Sequence, residues 1–359
     1  MKALFLSLAT LAACVSFTAE ACTGMKLIAK DGSTVHGRTL EFGVAVDISA
    51  AIIPRNYSFK GTTPSGPGLP YTSKYASVGA IAFDDPALMD GINEKGLSVG
   101  TFYFPTYASY AKITPENQSR ALSPVEFSNW ILSQFATVDE VKAALSSVVI
   151  APTITKAWGP TAAPFHYIVF EKSGKALVIE PIDGKLVTYE DQLGAFTNSP
   201  TFDWQMTNLR NFINLTPFNA KPITLRGVTL APFGQGSGMV GMPGDFTPPS
   251  RFVRAAIFST TAIPSDTAEQ SVFQLFHILN QFDIPIGVAR STEGDVTYSD
   301  STLVTCVRDP QALKFYFRSY NDQTIKVVDL NQFDLNATKI KKLDVTGVSK
   351  AEDISALLK

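Results

Sequence analysis

The sequence predicts an α+β fold in which antiparallel sheets are covered by helices. Three observations carry this. Apolar strand runs follow one another across short glycine-containing turns, which joins neighbours in antiparallel fashion. The helical segments fall in two blocks between groups of strands, whereas a parallel α/β sheet needs a helix after nearly every strand. Nothing along the chain reads as an internal repeat or an interdomain linker, so residues 22–359 are expected to form one layered domain.

Taken in order, residues 23–30 form the first strand run, Asp31-Gly32 the turn, and residues 33–40 its partner. Asp-Gly in that setting predicts a two-residue type I′ hairpin, because Gly accepts the positive φ that the turn demands. Residues 54–70 are rich in Pro and Gly and read as a long surface loop. A turn at Asn93-Glu94-Lys95-Gly96 leads into a strand over 99–104. Ser123-Pro124-Val125-Glu126 is a capping box with Pro at the first helical position, and Phe127, Trp130, Ile131 and Phe135 then share one helical face. Thr137-Val138-Asp139-Glu140 starts a second, shorter helix that buries Val138, Val141 and Leu145.

A loop over 151–164 precedes strands at 166–172 and 175–181 around Ser173-Gly174, and Ile182-Asp183-Gly184-Lys185 turns the chain again. The second helical block spans 202–213, 251–258 and 266–282, with Val272, Leu275, Phe276 and Leu279 as an apolar stripe. His277 lies beside that stripe and is expected to be a packed or hydrogen-bonded helix residue, not a catalyst. Strands over 302–308, 313–318 and 325–330 form a meander, with Cys306 expected as a buried free thiol. Residues 349–358 are expected to make a short terminal helix of unknown role.

Composition narrows the function. With 30 Lys plus Arg against 32 Asp plus Glu and no basic run, the chain has no electrostatic footprint for nucleic acid. Hydrophobic residues at 45% exclude a disordered chain. Three cysteines make no disulfide framework, three histidines make no His-rich metal site, and no cofactor signal is found. Gly236-Ser237-Gly238-Met239-Val240-Gly241 satisfies G-x-G-x-x-G, yet no strand feeds it and Pro243 follows where a phosphate-binding helix would begin. It reads as a glycine loop bordering a pocket.

The N-terminus carries the chemistry. Lys2, an apolar run over 3–17 and Ala19-Glu20-Ala21 have the pattern of a secretory signal with an A-x-A cleavage site. The run is too short for a membrane span, and no later stretch reaches the roughly 20 apolar residues that spanning requires. The expected product is an exported, periplasmic or secreted protein without stable membrane insertion. A rival is Leu11-Ala12-Ala13-Cys14, which fits a lipobox that would lipidate Cys14. Cleavage after Ala21 makes Cys22 the first residue. Its α-amino group, with a reference pKa of about 7.7–8.0, then serves as a built-in base for its own thiol.

Blocks along the chain carry a family resemblance: Cys22-Thr23-Gly24, His36-Gly37-Arg38, Ile53-Pro54-Arg55-Asn56, Phe83-Asp84-Asp85, Asp90-Gly91-Ile92-Asn93-Glu94-Lys95-Gly96-Leu97, Thr197-Asn198-Ser199-Pro200-Thr201-Phe202-Asp203-Trp204 and Gly244-Asp245-Phe246-Thr247-Pro248-Pro249-Ser250-Arg251-Phe252. Together they resemble the choloylglycine hydrolases, a family containing bile salt hydrolases and penicillin V acylases. The resemblance runs from Cys22 to Leu330 and leaves 337–359 as an extension beyond the matched blocks. It implies an N-terminal nucleophile hydrolase with an αββα four-layer sandwich of two antiparallel sheets between helix layers. It also implies a small N-acyl amide substrate, no cofactor and a homotetramer.

For the site, the resemblance implies that Cys22 attacks an amide carbonyl as thiolate, that Arg38 beside it favours the thiolate, and that Arg251 organises the charged pocket. Asn198 is implied as a donor to the oxyanion, with the backbone N–H of Tyr103. Where the family has an aspartate holding the α-amine, this chain has Glu41, one methylene longer. Tyr103 stands where bile salt hydrolases have Asn and several penicillin V acylases have Tyr, which points to a flat apolar acyl group. The expected activity is therefore penicillin V acylase-like, through a thioester. Conjugated bile salts and N-acyl-homoserine lactones are the alternative substrates. From another class, the rival is a silent binding protein on the same scaffold.

Overall fold

A computed structural model describes residues 21–83, 85–345 and 347–358, so residues 1–20 of the expected signal, with the Cys14 lipobox, lie outside the described residues. Two antiparallel sheets face each other. The first runs in the order Cys22–Ile28, Thr34–Phe42, Val296–Asp309, Lys314–Ser319 and Asp322–Asp329, with Ala289–Glu293 folded back on Val296–Asp309. The second runs Lys185–Glu190, Ala176–Ile182, Phe165–Phe170, Ser98–Tyr103, Asp90–Asn93, Ser77–Ala82, Ile48–Ile53 and Lys341–Asp344. Helices α1 (Phe127–Gln134) and α2 (Val138–Ala144) cover the outer face of the second sheet. Helices α4 (Pro248–Thr261) and α5 (Ala268–Leu279) cover the first, and α3 (Phe202–Leu209) packs on α4. The architecture is the four-layer αββα sandwich.

Covering both faces of each sheet explains the burial pattern. Ser77–Ala82, Ser98–Tyr103 and Phe165–Phe170 are buried at every position, as strands between two apolar layers must be. Period-2 alternation still sorts their side chains. On Thr34–Phe42, Val35 joins the apolar layer under α5, and a Cβ on Gly37 would lie 2.8 Å from Leu275 of that helix. His36 and Arg38 point the other way: His36 Nδ1 is 2.9 Å from Ser98 Oγ, and the Arg38 guanidinium lies 4.0 Å from the Phe102 ring centroid. The inter-sheet layer is thus where this chain buries its charged side chains.

Several sequence expectations are corrected here. The connection after Cys22–Ile28 spans residues 29–33, and only Gly32 has positive φ (83°), so it is not the two-residue type I′ turn. That turn occurs instead at Asp183-Gly184, where φ is 50° and 72° and Ile182 pairs with Lys185. The 54–70 loop contains a hairpin, Ser58–Thr63 with Gly66–Thr72. At 123–126, Glu126 accepts from the Ser123 backbone N–H (2.7 Å), but Ser123 Oγ makes no capping bond and α1 begins only at Phe127. The second box forms in part: Thr137 Oγ1 accepts from Glu140 N (3.2 Å), whereas Glu140 Oε2 accepts from Ala136 N (2.7 Å), one residue before the N-cap. His277 is exposed on α5 rather than packed. Residues 341–344 are a strand hydrogen-bonded to Ile48–Ile53, so part of the supposed extension completes the second sheet. The terminal turn is 3₁₀, over Ser355–Leu358 only.

Gly79 pairs with Gly91 across neighbouring strands, and a Cβ there would sit 1.9 Å from the Asp90 carbonyl oxygen. Gly79→Ala must therefore move backbone in the buried sheet and is expected to cost about 1–3 kcal/mol in urea unfolding. Gly244→Ala, which meets nothing within 4 Å, is the control expected near zero.

Candidate active site

Cys22 opens the edge strand of the first sheet and is buried, with 5% of its surface exposed. The strand pairs on one side with Thr34–Phe42, which delivers Arg38 and Glu41. On the other side it meets only a single bridge, in which Gly24 N donates to Phe196 O (2.7 Å) and Phe196 N to Gly24 O (2.9 Å). A Cβ on Gly24 would lie 2.8 Å from Phe102, so glycine is what lets the two sheets approach there. Beyond Phe196 the chain leaves the sheet and brings Asn198 back over Cys22.

Asn198 is the junction of the site. Its Oδ1 accepts from Cys22 N (2.8 Å) and from Arg251 Nη2 (2.7 Å), and its Nδ2 donates to the Tyr103 carbonyl (2.8 Å). Arginine can only donate, so this network settles which end of the amide is oxygen. One Nδ2 hydrogen remains for another acceptor. Arg251, on the first turn of α4, also donates to the Cys22 carbonyl (2.5 Å), Thr23 Oγ1 (2.8 Å) and the Phe246 carbonyl (2.8 Å). Burial lowers its pKa to about 10.

Arg38 lines an aromatic pocket together with Cys22. Its Nη1 donates to the Thr101 carbonyl (2.5 Å) and lies 3.7 Å from Asp90 Oδ2, while its buried Nη2 has no hydrogen-bond partner among the described residues. Asp90 is held in turn by Arg308 (2.9 Å to each oxygen) and by Cys306 Sγ (3.5 Å). Cys306 is a buried free thiol, and burial pushes its pKa up. Glu41 is fully buried; Oε1 accepts from Thr302 Oγ1 (3.0 Å), and burial lifts the carboxyl to about 7 against the pull of Arg251 and Arg38. With Ala21 joined to it, the Cys22 thiol is raised rather than lowered. Burial outweighs Arg38 and Arg251, and Glu41 adds to the rise. Arg38 alone therefore does not produce a thiolate.

All six residues singled out in the sequence converge here. Two pockets lie at Cys22 and the residues around it. One is apolar and aromatic, formed by Leu40, Phe42, Ile81, Met89, Tyr103, Trp158 and Phe165. The other is mixed: Ala21, Pro105, Phe246, Ile284 and Val288 line it together with Asn198, Arg251, Arg290 and Asp300. Asp300 is raised to about 6 by burial. Sequence reading missed Asp90, Thr302, Trp158 and Asp300. Of these only Asp90 had a signal, lying inside a quoted block. Gly236–Gly241 forms a short 3₁₀ turn on the surface and lines neither pocket. No group of three or more His, Cys, Asp or Glu among the described residues could hold a metal.

Comparison with known proteins decides the family. A model of the linear amide C–N hydrolases of the choloylglycine hydrolase family matches residues 22–343. This chain belongs to that family. It is a hydrolase acting on linear amide C–N bonds. A bile salt hydrolase/transferase of Clostridium perfringens is 34% identical over 322 residues, covering 89% of this chain and 95% of that protein. A crystal structure of a variant of the conjugated bile acid hydrolase from Clostridium perfringens aligns with a TM-score of 0.83 at 32% identity, over 93% of this chain and 100% of that one. The penicillin V acylase of Agrobacterium tumefaciens aligns with a TM-score of 0.73 at 25% identity, over 90% and 91%. The family match reaches 343, and so takes in the first part of the region beyond Leu330.

The raised Glu41 carboxyl sets a pH signature. In the unfolded chain it titrates near the usual value of about 4.3, and in the folded chain near 7. Between those values the folded chain holds the extra proton, so stability falls as pH rises through that window. In the chain that retains Ala21, Glu41→Gln is expected to gain about 2–3 kcal/mol relative to the parent between pH 5 and pH 8. Urea unfolding at both pH values measures it; a constant difference would contradict the assignment.

Proposed function

We propose that this hydrolase acts through Cys22 as an N-terminal nucleophile, after export and removal of residues 1–21. The observation that carries the reading is the placement of one buried thiol beside an aromatic pocket, with Asn198, Arg38, Glu41 and Arg251 around it and a second pocket lined by Asn198, Arg251, Arg290 and Asp300 next to it. The family match beginning at Cys22 supports the same cleavage point. Cleavage converts the nitrogen that donates to Asn198 Oδ1 into an amine. That amine takes the thiol proton, and Sγ attacks the amide carbonyl. The developing oxyanion is met by the second Nδ2 hydrogen of Asn198 and by the Tyr103 backbone N–H. The amine then passes the proton to the leaving nitrogen, the C–N bond breaks, and a thioester remains on Cys22. Water, deprotonated by the same amine, releases the acid. Glu41 keeps one buried carboxyl oxygen without a hydrogen-bond partner and is the acceptor best suited to hold the charged form of the amine.

The aromatic pocket takes the acyl group, and the second pocket, which carries Arg251, Arg290 and Asp300, takes the amine side. Phe42, Tyr103, Trp158 and Phe165 meet at near-perpendicular ring angles, a wall suited to a flat aromatic acyl group such as phenoxyacetyl. That supports the penicillin V acylase-like reading. A second reading, conjugated bile salts, is favoured by whole-chain similarity, which is 34% to the bile salt hydrolase/transferase and 29% to the penicillin V acylase of Pectobacterium atrosepticum. The homo-oligomer expectation has its own support. The hairpin Ile223–Leu225 with Val228–Leu230, flanked by Phe218 and Phe233, projects with its apolar side chains exposed. We assign that arm to a second copy of this chain, because an apolar patch of this kind is rare on a monomer.

Cys22→Ser is expected to lose at least about 100-fold in turnover, read by release of 6-aminopenicillanic acid from penicillin V, glycine or taurine from conjugated bile salts, and homoserine lactone from its N-acyl derivatives. Mass spectrometry of the mature chain is expected to begin at Cys22. A chain beginning elsewhere would rule out the self-base mechanism and favour the silent binding protein. Phe218→Asp with Phe233→Asp is expected to lower the mass measured by light scattering to that of a monomer, and an unchanged oligomer would remove the arm from the interface.

A further inference from the structure

We propose that a buried His166–Glu180 pair is the positioning device that holds Asn198 over Cys22. The proposal rests on the nucleophile reading above. Both residues lie on neighbouring strands of the second sheet, Phe165–Phe170 and Ala176–Ile182, and their side chains are buried, with 1% and 0% of their surface exposed. His166 Nε2 is 3.0 Å from the Thr197 carbonyl, and His166 Nδ1 is 3.3 Å from Glu180 Oε1. Glu180 Oε1 also accepts from the Phe202 backbone N–H at 3.0 Å. The pair therefore fastens the strip that carries Asn198 at both ends, at residue 197 and at residue 202.

Hydrogen-bond valence fixes what the pair holds. A carbonyl only accepts, so Nε2 carries a hydrogen toward Thr197. Two bare lone pairs would repel between Nδ1 and Oε1, so one proton lies between those atoms and the pair is neutral as a unit. It brings no net charge into the inter-sheet layer. The imidazole is clamped in its plane by Phe104, stacked at 4.1 Å and 8°, with Phe196 at 4.3 Å on the ring. Phe104 and Phe196 adjoin, in sequence, the two segments that Asn198 ties together through the Tyr103 carbonyl. One side chain thus spans both segments from behind.

The strip needs such a device. After the Gly24–Phe196 bridge it leaves the sheet, and among the described residues no backbone N–H donates to the Thr197 carbonyl. A buried carbonyl without a partner is costly, so the strip would shift to find one and carry Asn198 with it. The catalytic atoms sit one residue away, where a displacement near 1 Å can cost about 100-fold. His166 and Glu180 touch none of the reacting atoms, so their effect is on geometry.

The test compares His166→Phe, which keeps the stacked ring but removes the donor, with His166→Gln, whose Nε2 can still reach Thr197. Rates are expressed per thiol alkylated by iodoacetamide at Cys22. We expect His166→Phe to lose about 10- to 100-fold in kcat with KM changed less than about threefold, and His166→Gln to keep kcat within about threefold. Glu180→Gln keeps an oxygen that can accept from the Phe202 N–H but cannot also supply the proton shared with Nδ1 from that atom, and is expected to lose about threefold, and Glu180→Met to fall about 10-fold. If His166→Phe does not fold, the Glu180 pair of variants decides. Wild-type kcat in His166→Phe, or an equal loss in His166→Gln, would overturn the proposal. Absence of turnover in the parent chain on every amide would instead remove the nucleophile reading.

Discussion

The hydrogen bond from Arg251 to Asn198 Oδ1 is the constraint on which the site depends. A guanidinium offers donors alone, so the amide oxygen must face it, and the NH₂ group is then forced toward the Tyr103 carbonyl. From that one orientation the rest follows. Cys22 N finds its acceptor, the strip after Phe196 is pinned above the first strand, and one amide hydrogen is left over beside the thiol. Reversing the amide would set donors against donors at Arg251 and Cys22 and acceptor against acceptor at Tyr103.

Placing such a network between two sheets requires the charges around it to be paired. Arg38, Arg251 and Arg308 are among the largest fully buried side chains in the molecule. Each is met by carbonyls or by a carboxylate. Asp90 lies 2.9 Å from Arg308 and 3.7 Å from Arg38, and Arg38 also rests on the Phe102 face. Breaking a buried ion pair on one side leaves an uncompensated charge, which costs more than the pair contributes. The cluster therefore adds little net stability and a strong preference for one arrangement. It makes Arg38 rigid and leaves only its Nη2 without a partner beside the pocket.

The layering was legible because its signals are local. Turn residues, capping boxes and apolar periodicity mark antiparallel strands and helix blocks without knowledge of distant contacts, and Thr137 with Glu140 formed the cap its spelling implies. Local signals erred where geometry was set from outside. Asp31-Gly32 spells a type I′ turn, yet the chain uses a longer one, with Lys30 N donating to Ser265 O at 2.8 Å. Site residues were legible only through the joint pattern of motif blocks. Trp158 stands in a loop with no periodicity, and Asp300 reaches the site from the far end of the chain. Asp90 has its partner 218 residues away. Nothing adjacent in sequence announces such contacts.

The state of the thiol is the remaining step. In the uncut chain burial raises both Cys22 and Glu41, so the site favours a neutral thiol and a half-protonated carboxyl near pH 7. Under the proposed cleavage a new cationic group appears at the Cys22 nitrogen, close to both. A nearby positive charge lowers the pKa of a carboxyl and of a thiol alike, so the same bond scission that creates the base also draws Glu41 to its charged form and the thiol toward thiolate. Glu41 in turn raises the amine, opposing the desolvation that would lower it. With Ala21 attached, Arg38 and Arg251 do not overcome burial, and under the proposed cleavage the amine adds a further positive charge. Under that proposal the chain that retains residues 1–21 is chemically quiet and reactivity is tied to the free N-terminus.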